Sequence, residues 1–223
     1  YLVKKSFKRI YNGINRGLID NILNIFSDLW FEILFGVKTM KLSRIANLDI
    51  GFDSKLHGFD YYATRSRPFK KILKKVKNTK NSVFVDIGSG KGKCLILADI
   101  YGFKKSVGVE FSKELVDISK KNVKKYLNRK GKNFGEIEIY HEDASTFIIK
   151  EDYNIFYLFN PFDEKICNAV LNNILESLKH YPREAWIIYC GPLFRNLFIS
   201  KEVFQVSSYK FGSVVYDVYS YKL

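Results

Sequence analysis

From position 82 to the end, short β-branched and aromatic runs alternate with helical stretches, and this rhythm constrains the fold more than any other feature. Strand-like runs fall at 83–87, 107–111, 137–141, 155–159 and 185–190. Helical patterns fall at 91–100, 113–129 and 164–180, with a short turn at 144–148. Strands separated by crossover helices make a parallel α/β doubly wound sheet. The rhythm then breaks: 202–209 and 213–221 read as two strands joined through Phe211 and Gly212 with no helix between them. An antiparallel hairpin therefore closes the sheet, giving seven mostly parallel strands. The boundary predicted on this basis separates an N-terminal helical extension and connector, 1–81, from an α/β domain, 82–223.

The segment before that boundary has its own logic. Positions 18–37 form the longest apolar stretch, but Asp20, Asn24, Asp28 and Glu32 interrupt it every four residues and share one helix face. The spacing predicts an amphipathic helix, with the opposite face (Ile22, Phe26, Leu29, Trp30, Ile33) packed on the domain or on a partner subunit. It excludes a transmembrane span. Lys4, Lys5, Lys8 and Arg9 just before it allow weak peripheral contact with a membrane, and the helix is also a surface for self-association. A basic helix follows at 68–77, with Pro68 in its first turn. The chain begins on Tyr1 and not on Met, which leaves room for a leader or a native start upstream.

Chemistry concentrates at the strand tips. Asp86-Ile-Gly-Ser-Gly-Lys-Gly92 ends the first strand and opens a helix. Gly88 and Gly90 allow a sharp turn close to a ligand, and amides at the helix start can face a polar group. The G-x-G-x-G spacing places Lys93 where a dinucleotide fold has its third glycine. Glu110 ends the second strand, where a carboxylate can accept both hydroxyls of a ribose. Asp143 ends the third strand, placed to accept from the exocyclic amine of adenine. Asn160-Pro161-Phe162 follows the fourth. In an open α/β sheet these are the carboxyl ends of strands, where ligands bind.

With these residues in order, the chain from about 82 to 223 resembles the class I, seven-strand, Rossmann-like S-adenosylmethionine-dependent methyltransferases. The resemblance implies S-adenosyl-L-methionine as cofactor. It implies that Asp86, Gly88, Ser89, Gly90 and Gly92 hold the methionine portion, Glu110 the ribose, and Asp143 with Ala144 the adenine. Asn160 would lie near the transferring methyl. Amine-methylating members carry an Asn/Asp-Pro-Pro-aromatic tetrapeptide at this place. Here it is Asn160-Pro161-Phe162-Asp163, without the second proline and with the aromatic ring one residue early. The resemblance thus suggests methylation of an amine nitrogen on RNA or on a protein lysine. O-methylation of a glycan or small metabolite, or a non-catalytic cofactor-binding subunit, are the alternatives.

The connector 51–64 resembles that of some small bacterial methyltransferases of unassigned substrate. It is also similar to seven-strand protein-lysine methyltransferases, in which a Tyr and a Thr or Ser flanking a Pro precede the basic helix; Ala63 replaces that Pro. Tyr61, Tyr62 and Thr64 are candidates to fold over the cofactor and line the acceptor pocket.

Other chemistries are disfavoured. No Pro-Cys pair exists for a cytosine-C5 nucleophile; Cys94 and Cys190 read as core, and Cys167 lies in a helix pattern. The three thiols lack disulfide or zinc spacing, which points to a reducing, cytoplasmic setting. Acidic residues form no second cluster, so no metal site is expected. Of the three histidines, His141 is the best placed as a base.

The charge is uneven. Net charge is +14, yet residues 65–132 carry 20 basic against 5 acidic side chains, while 133–223 carry 8 against 12. A basic belt on one half of the chain favours an anionic acceptor such as RNA.

Overall fold

In the computed structural model, residues 2–48, 60–76, 79–130, 135–160, 162–201 and 204–221 are described, with side chains from Gly17 onward except at 47 and 79. The elements run α1 (Leu2–Phe35), α2 (Ser66–Leu73), β1 (Val83–Ile87), α3 (Lys93–Tyr101), β2 (Lys105–Glu110), α4 (Lys113–Lys130), β3 (Glu136–His141), β4 (Tyr153–Leu158), α5 (Glu164–His180), β5 (Ala185–Cys190), α6 (Arg195–Ile199), β6 (Phe204–Phe211) and β7 (Val214–Tyr221). The seven strands form one sheet in the order β3-β2-β1-β4-β5-β7-β6. β1 to β5 are parallel, and β7 runs antiparallel between β5 and β6. The expected Rossmann-like architecture with a closing hairpin is what the chain adopts.

The order turns back between β1 and β4, and this switch point opens a crevice at the carboxyl ends of those two strands. Every residue of β1 is buried, because helices cover both faces of the sheet. Phe84 faces a cluster built with Phe69, Leu95, Phe103 and Tyr126 from the α2–α3–α4 side. Val83, Val85 and Ile87 face a second cluster with Val170, Leu171 and Ile174 of α5. Between α2 and α4, α3 is buried from Lys93 to Asp99, which explains its nearly unbroken apolar sequence.

The expectation that α1 packs its apolar face on the domain is reversed. In α1 it is the polar face that turns inward. Asn24 and Asp28 are buried and Glu32 is half-buried, while Phe26, Trp30 and Ile33 are 65%, 65% and 68% exposed. The reason lies in the segments that α1 meets. Asp28 Oδ1 accepts from the Ser66 amide at 2.9 Å and the Ser66 hydroxyl at 2.7 Å, and so caps the first turn of α2. Glu32 Oε1 accepts from the amides of Thr39 and of Met40, the latter at 2.7 Å. Acceptors, not apolar side chains, are what the start of α2 and the 39–40 turn lack. Apolar anchoring is left to Phe31 in the core and to Phe35, whose ring meets Tyr126 edge-on at 5.0 Å.

Candidate functional site

A cavity opens at the switch point, bounded by the tips of β1, β2 and β4 and by the 60–64 connector. Asp86, Gly88, Ser89, Glu110, Asp143, Ala144, Asn160 and Phe162 all line it, as do Tyr61, Tyr62 and Thr64. Residues predicted separately along the chain are thus brought together, except Gly90 and Gly92, which are not among those lining the cavity. Pro161 lies outside the described residues.

The turn after β1 shows why glycine is needed. Gly90 has a φ of +52°, and a Cβ there would stand 2.3 Å from the Tyr61 ring. The loop's amides do not all face the cavity, contrary to expectation. Those of Gly88 and Ser89 donate to the Val109 carbonyl at 2.9 and 3.0 Å, Gly92 donates to Ser89 at 2.9 Å, and Gly90 donates to Glu110 Oε2 at 2.9 Å. The loop therefore offers close approach more than free donors. Glu110 Oε1 accepts from the Ser112 amide at 2.9 Å, so the carboxylate is held rigidly between two loops with lone pairs to spare.

Asp86 and Glu110 form a buried acidic floor. Burial raises Glu110 to about 7 against the lowering effect of its backbone donors. Burial, and then the charge of Glu110, push Asp86 well above the carboxylate range. Among the described residues no lysine or arginine pairs with either. Two desolvated carboxyls without a cationic partner suit a ligand that brings positive charge and hydroxyl donors. Ser89 Oγ and Asn160 Oδ1 are also buried without a hydrogen-bond partner.

Asn160 is the most constrained residue of the site. Its φ is +41°, which costs a non-glycine residue about 1–3 kcal/mol. Its Nδ2 donates to the Gly191 carbonyl at 2.5 Å, leaving Oδ1 as a fixed, desolvated acceptor in the cavity wall. Tyr61 donates to the Thr39 carbonyl at 2.8 Å, and Lys91 Nζ sits over its ring at 5.0 Å. Thr64 and Tyr157 share a hydroxyl pair at 3.0 Å under the same wall. Tyr62 stays largely exposed at the rim. Asp143 Oδ1 takes the amide and hydroxyl of Ser145, each at 2.7 Å, which fixes the turn after β3. Exposed His141 meets the Phe111 carbonyl at 3.0 Å and does not line the cavity. All three cysteines are buried. Burial raises Cys167 to about 12 and Cys190 to about 11, and burial together with the charge of Asp86 raises Cys94 well above its ordinary value, so none is poised as a thiolate.

Sequence reasoning missed Tyr157 and the pair Lys93–Asp28. A lysine in the place of the third glycine was the one visible signal for the latter. Lys93 Nζ reaches Asp28 Oδ1 at 2.7 Å, with both side chains 2% exposed.

Fold and site together define a methyltransferase-type domain of the class I architecture. Its fold is shared by ribosomal protein L11 methylase of Lactobacillus delbrueckii subsp. bulgaricus, 14% identical, with a TM-score of 0.53 over 73% of this chain and 81% of that one. An RNA methyltransferase from Salinibacter ruber, solved with S-adenosyl-L-homocysteine, gives a TM-score of 0.52 at 16% identity over 72% and 94%. The chain belongs to the family described as Histone methylation protein DOT1, which it matches over residues 60–188. A Caenorhabditis elegans relative, "Histone-lysine N-methyltransferase, H3 lysine-79 specific", is 29% identical over 132 residues, 55% of this chain. Those residues span 14% of that much longer relative.

Proposed function

We propose that this chain is an S-adenosylmethionine-dependent methyltransferase acting on the side-chain amine of a protein lysine. The observation that carries the reading is Asn160 Oδ1, a buried acceptor without a partner in the cavity wall. Membership of the DOT1 family and the lysine specificity named for the C. elegans relative favour a protein acceptor over RNA.

The residues present fit the cofactor. Asp86 and the Gly88–Gly92 turn would hold its methionine portion, Glu110 its ribose hydroxyls, and Asp143 with Ala144 its adenine. When bound, the cofactor supplies an electrophilic sulfonium methyl. Asn160 would accept an N–H of the neutral lysine amine and so direct the nitrogen lone pair at that carbon, where an N–C bond would form as the S–C bond broke. The amine's surplus proton leaves to solvent. The apolar ring of Phe162, buried beside Asn160, would help exclude water.

The reading is tested by incubating the protein with methyl-radiolabelled S-adenosylmethionine and separate protein and RNA fractions, followed by acid hydrolysis. Label recovered as methyl-lysine is expected. Label confined to RNA, or to a glycan or small-molecule pool, would overturn the lysine assignment, and absence of cofactor binding would overturn the whole reading.

A further inference from the structure

The inverted helix leaves an unusual surface. Ten apolar side chains of α1, from Leu18 to Leu34, remain between 42 and 68% exposed. At 100° per residue they cover about half of the helix circumference. Together they present on the order of 1,000 Å², where the largest patch on an ordinary monomer is roughly 300–600 Å². Between Gly17 and Phe35 the charged residues are Asp20, Asp28 and Glu32, and Asp28 and Glu32 are turned to the protein.

The surroundings of this surface carry the opposite chemistry. α1 packs against both α2 and α4, on the same side of the sheet. Lys70 and Lys71 of α2, and Lys74 just past its end, are exposed. On α4, Lys121 and Lys125 are exposed on the strip next to Asn122 and Arg129, the residues that hold Lys38 and the last turn of α1. The far side of the sheet belongs to the acidic 133–223 segment. A broad apolar strip bordered by lysines therefore faces one way.

We propose that this side of the protein docks on a bilayer surface rich in anionic lipid, with Phe26, Trp30 and Ile33 entering the headgroup boundary and the α2 and α4 lysines meeting the lipid charges. Charge decides among occupants. A second copy docked through the same face would bring two basic borders together. RNA would satisfy the lysines and leave the apolar strip in water. Of these three, the anionic lipid surface is the one that complements both parts. This inference goes beyond the methyltransferase reading and stands apart from it.

The experiment is co-sedimentation of the whole chain with phosphatidylcholine vesicles, with and without phosphatidylserine, at low and high salt. Binding is expected to the phosphatidylserine vesicles, weakened by salt. Phe26→Glu combined with Trp30→Glu should lower it by about tenfold or more, with cofactor affinity unchanged as the control for folding. Failure of the unaltered chain to bind phosphatidylserine vesicles would overturn the proposal, as would binding indifferent to the double substitution. A dimer in solution that the double substitution splits, without vesicle binding, would assign the face to a second copy. Every readout here is binding, so failure of the methyltransferase reading would register separately.

Discussion

Lys93 and Asp28 form a buried ion pair at 2.7 Å that ties the N-terminal helix to the helix opening from the glycine turn. Burial alone would raise Asp28, but Lys93 and Ser66 outweigh it and hold the carboxyl below its ordinary value. Burial lowers Lys93 against the pull of Asp28. The two directions oppose each other, and the ionised pair is the consistent one, since Ser66 and Arg65 also donate to Asp28.

Removing one partner should therefore cost far more than an exposed pair would. Asp28→Ala strands the Lys93 charge and uncaps α2, and is expected to lower unfolding free energy by about 3–5 kcal/mol. Combining it with Lys93→Met should recover part of that loss. Urea unfolding of the two single variants and the double checks this; additive losses would show that the pair does not act as a unit.

Glu110 makes stability depend on pH. Its native value of about 7 lies above the ordinary 4.5, so between these values the native state keeps a proton that the unfolded chain has released. Stability of the cofactor-free protein should then fall as pH rises from about 4.5 to 7, by about 3 kcal/mol in all. Asp86 is raised too and adds in the same sense. Glu110→Gln should shrink the slope and stabilise the protein at pH 8, yet weaken cofactor binding by about tenfold, the worth of one good hydrogen-bonding partner. Denaturation across pH with parallel cofactor titration separates the two effects.

Gly90 and Tyr61 are coupled by contact. Gly90→Ala meets the Tyr61 ring and also takes on a left-handed backbone, so a loss of about 1–3 kcal/mol is expected, together with weaker cofactor binding. In a Tyr61→Ala background the clash is gone and only the backbone strain remains. The cost should then drop by about 1 kcal/mol. Equal costs in both backgrounds would mean that the ring yields freely.

The sequence disclosed the sheet, the strand-tip carboxylates and Asn160, because these depend on local periodicity and on where a strand must end. That Asp86, Glu110 and Asn160 meet at one cavity follows from strand order alone, since a parallel sheet places all its carboxyl ends on one edge. The orientation of α1 could not. Periodicity tells which residues share a face, and polar ones are assigned to water by default. Asp28 and Glu32 defeat that default because their partners, Ser66, Lys93, Thr39 and Met40, include donors that lie up to 65 residues away along the chain. The placing of Tyr61 against Gly90 is hidden for the same reason. So is the use of the glycine turn's own amides by Val109 and Glu110.

Asn160 separates binding from turnover. Its Nδ2 is already engaged by Gly191, so Oδ1 is the side-chain atom left without a partner in the cavity wall. Asn160→Ala removes the acceptor and relieves the Gly191 contact, while leaving Asp86 and Glu110 where they are. Turnover should fall by about a hundredfold, as when one oriented polar contact to the reacting group is lost, with cofactor affinity changed less than about threefold. Asn160→Asp keeps an acceptor but sets a second negative oxygen against the Gly191 carbonyl, so it should regain only part of the activity. Single-turnover methyl transfer, with cofactor affinity measured by calorimetry, distinguishes these outcomes. An equal loss of affinity and turnover in Asn160→Ala would place Asn160 in cofactor binding instead of acceptor orientation.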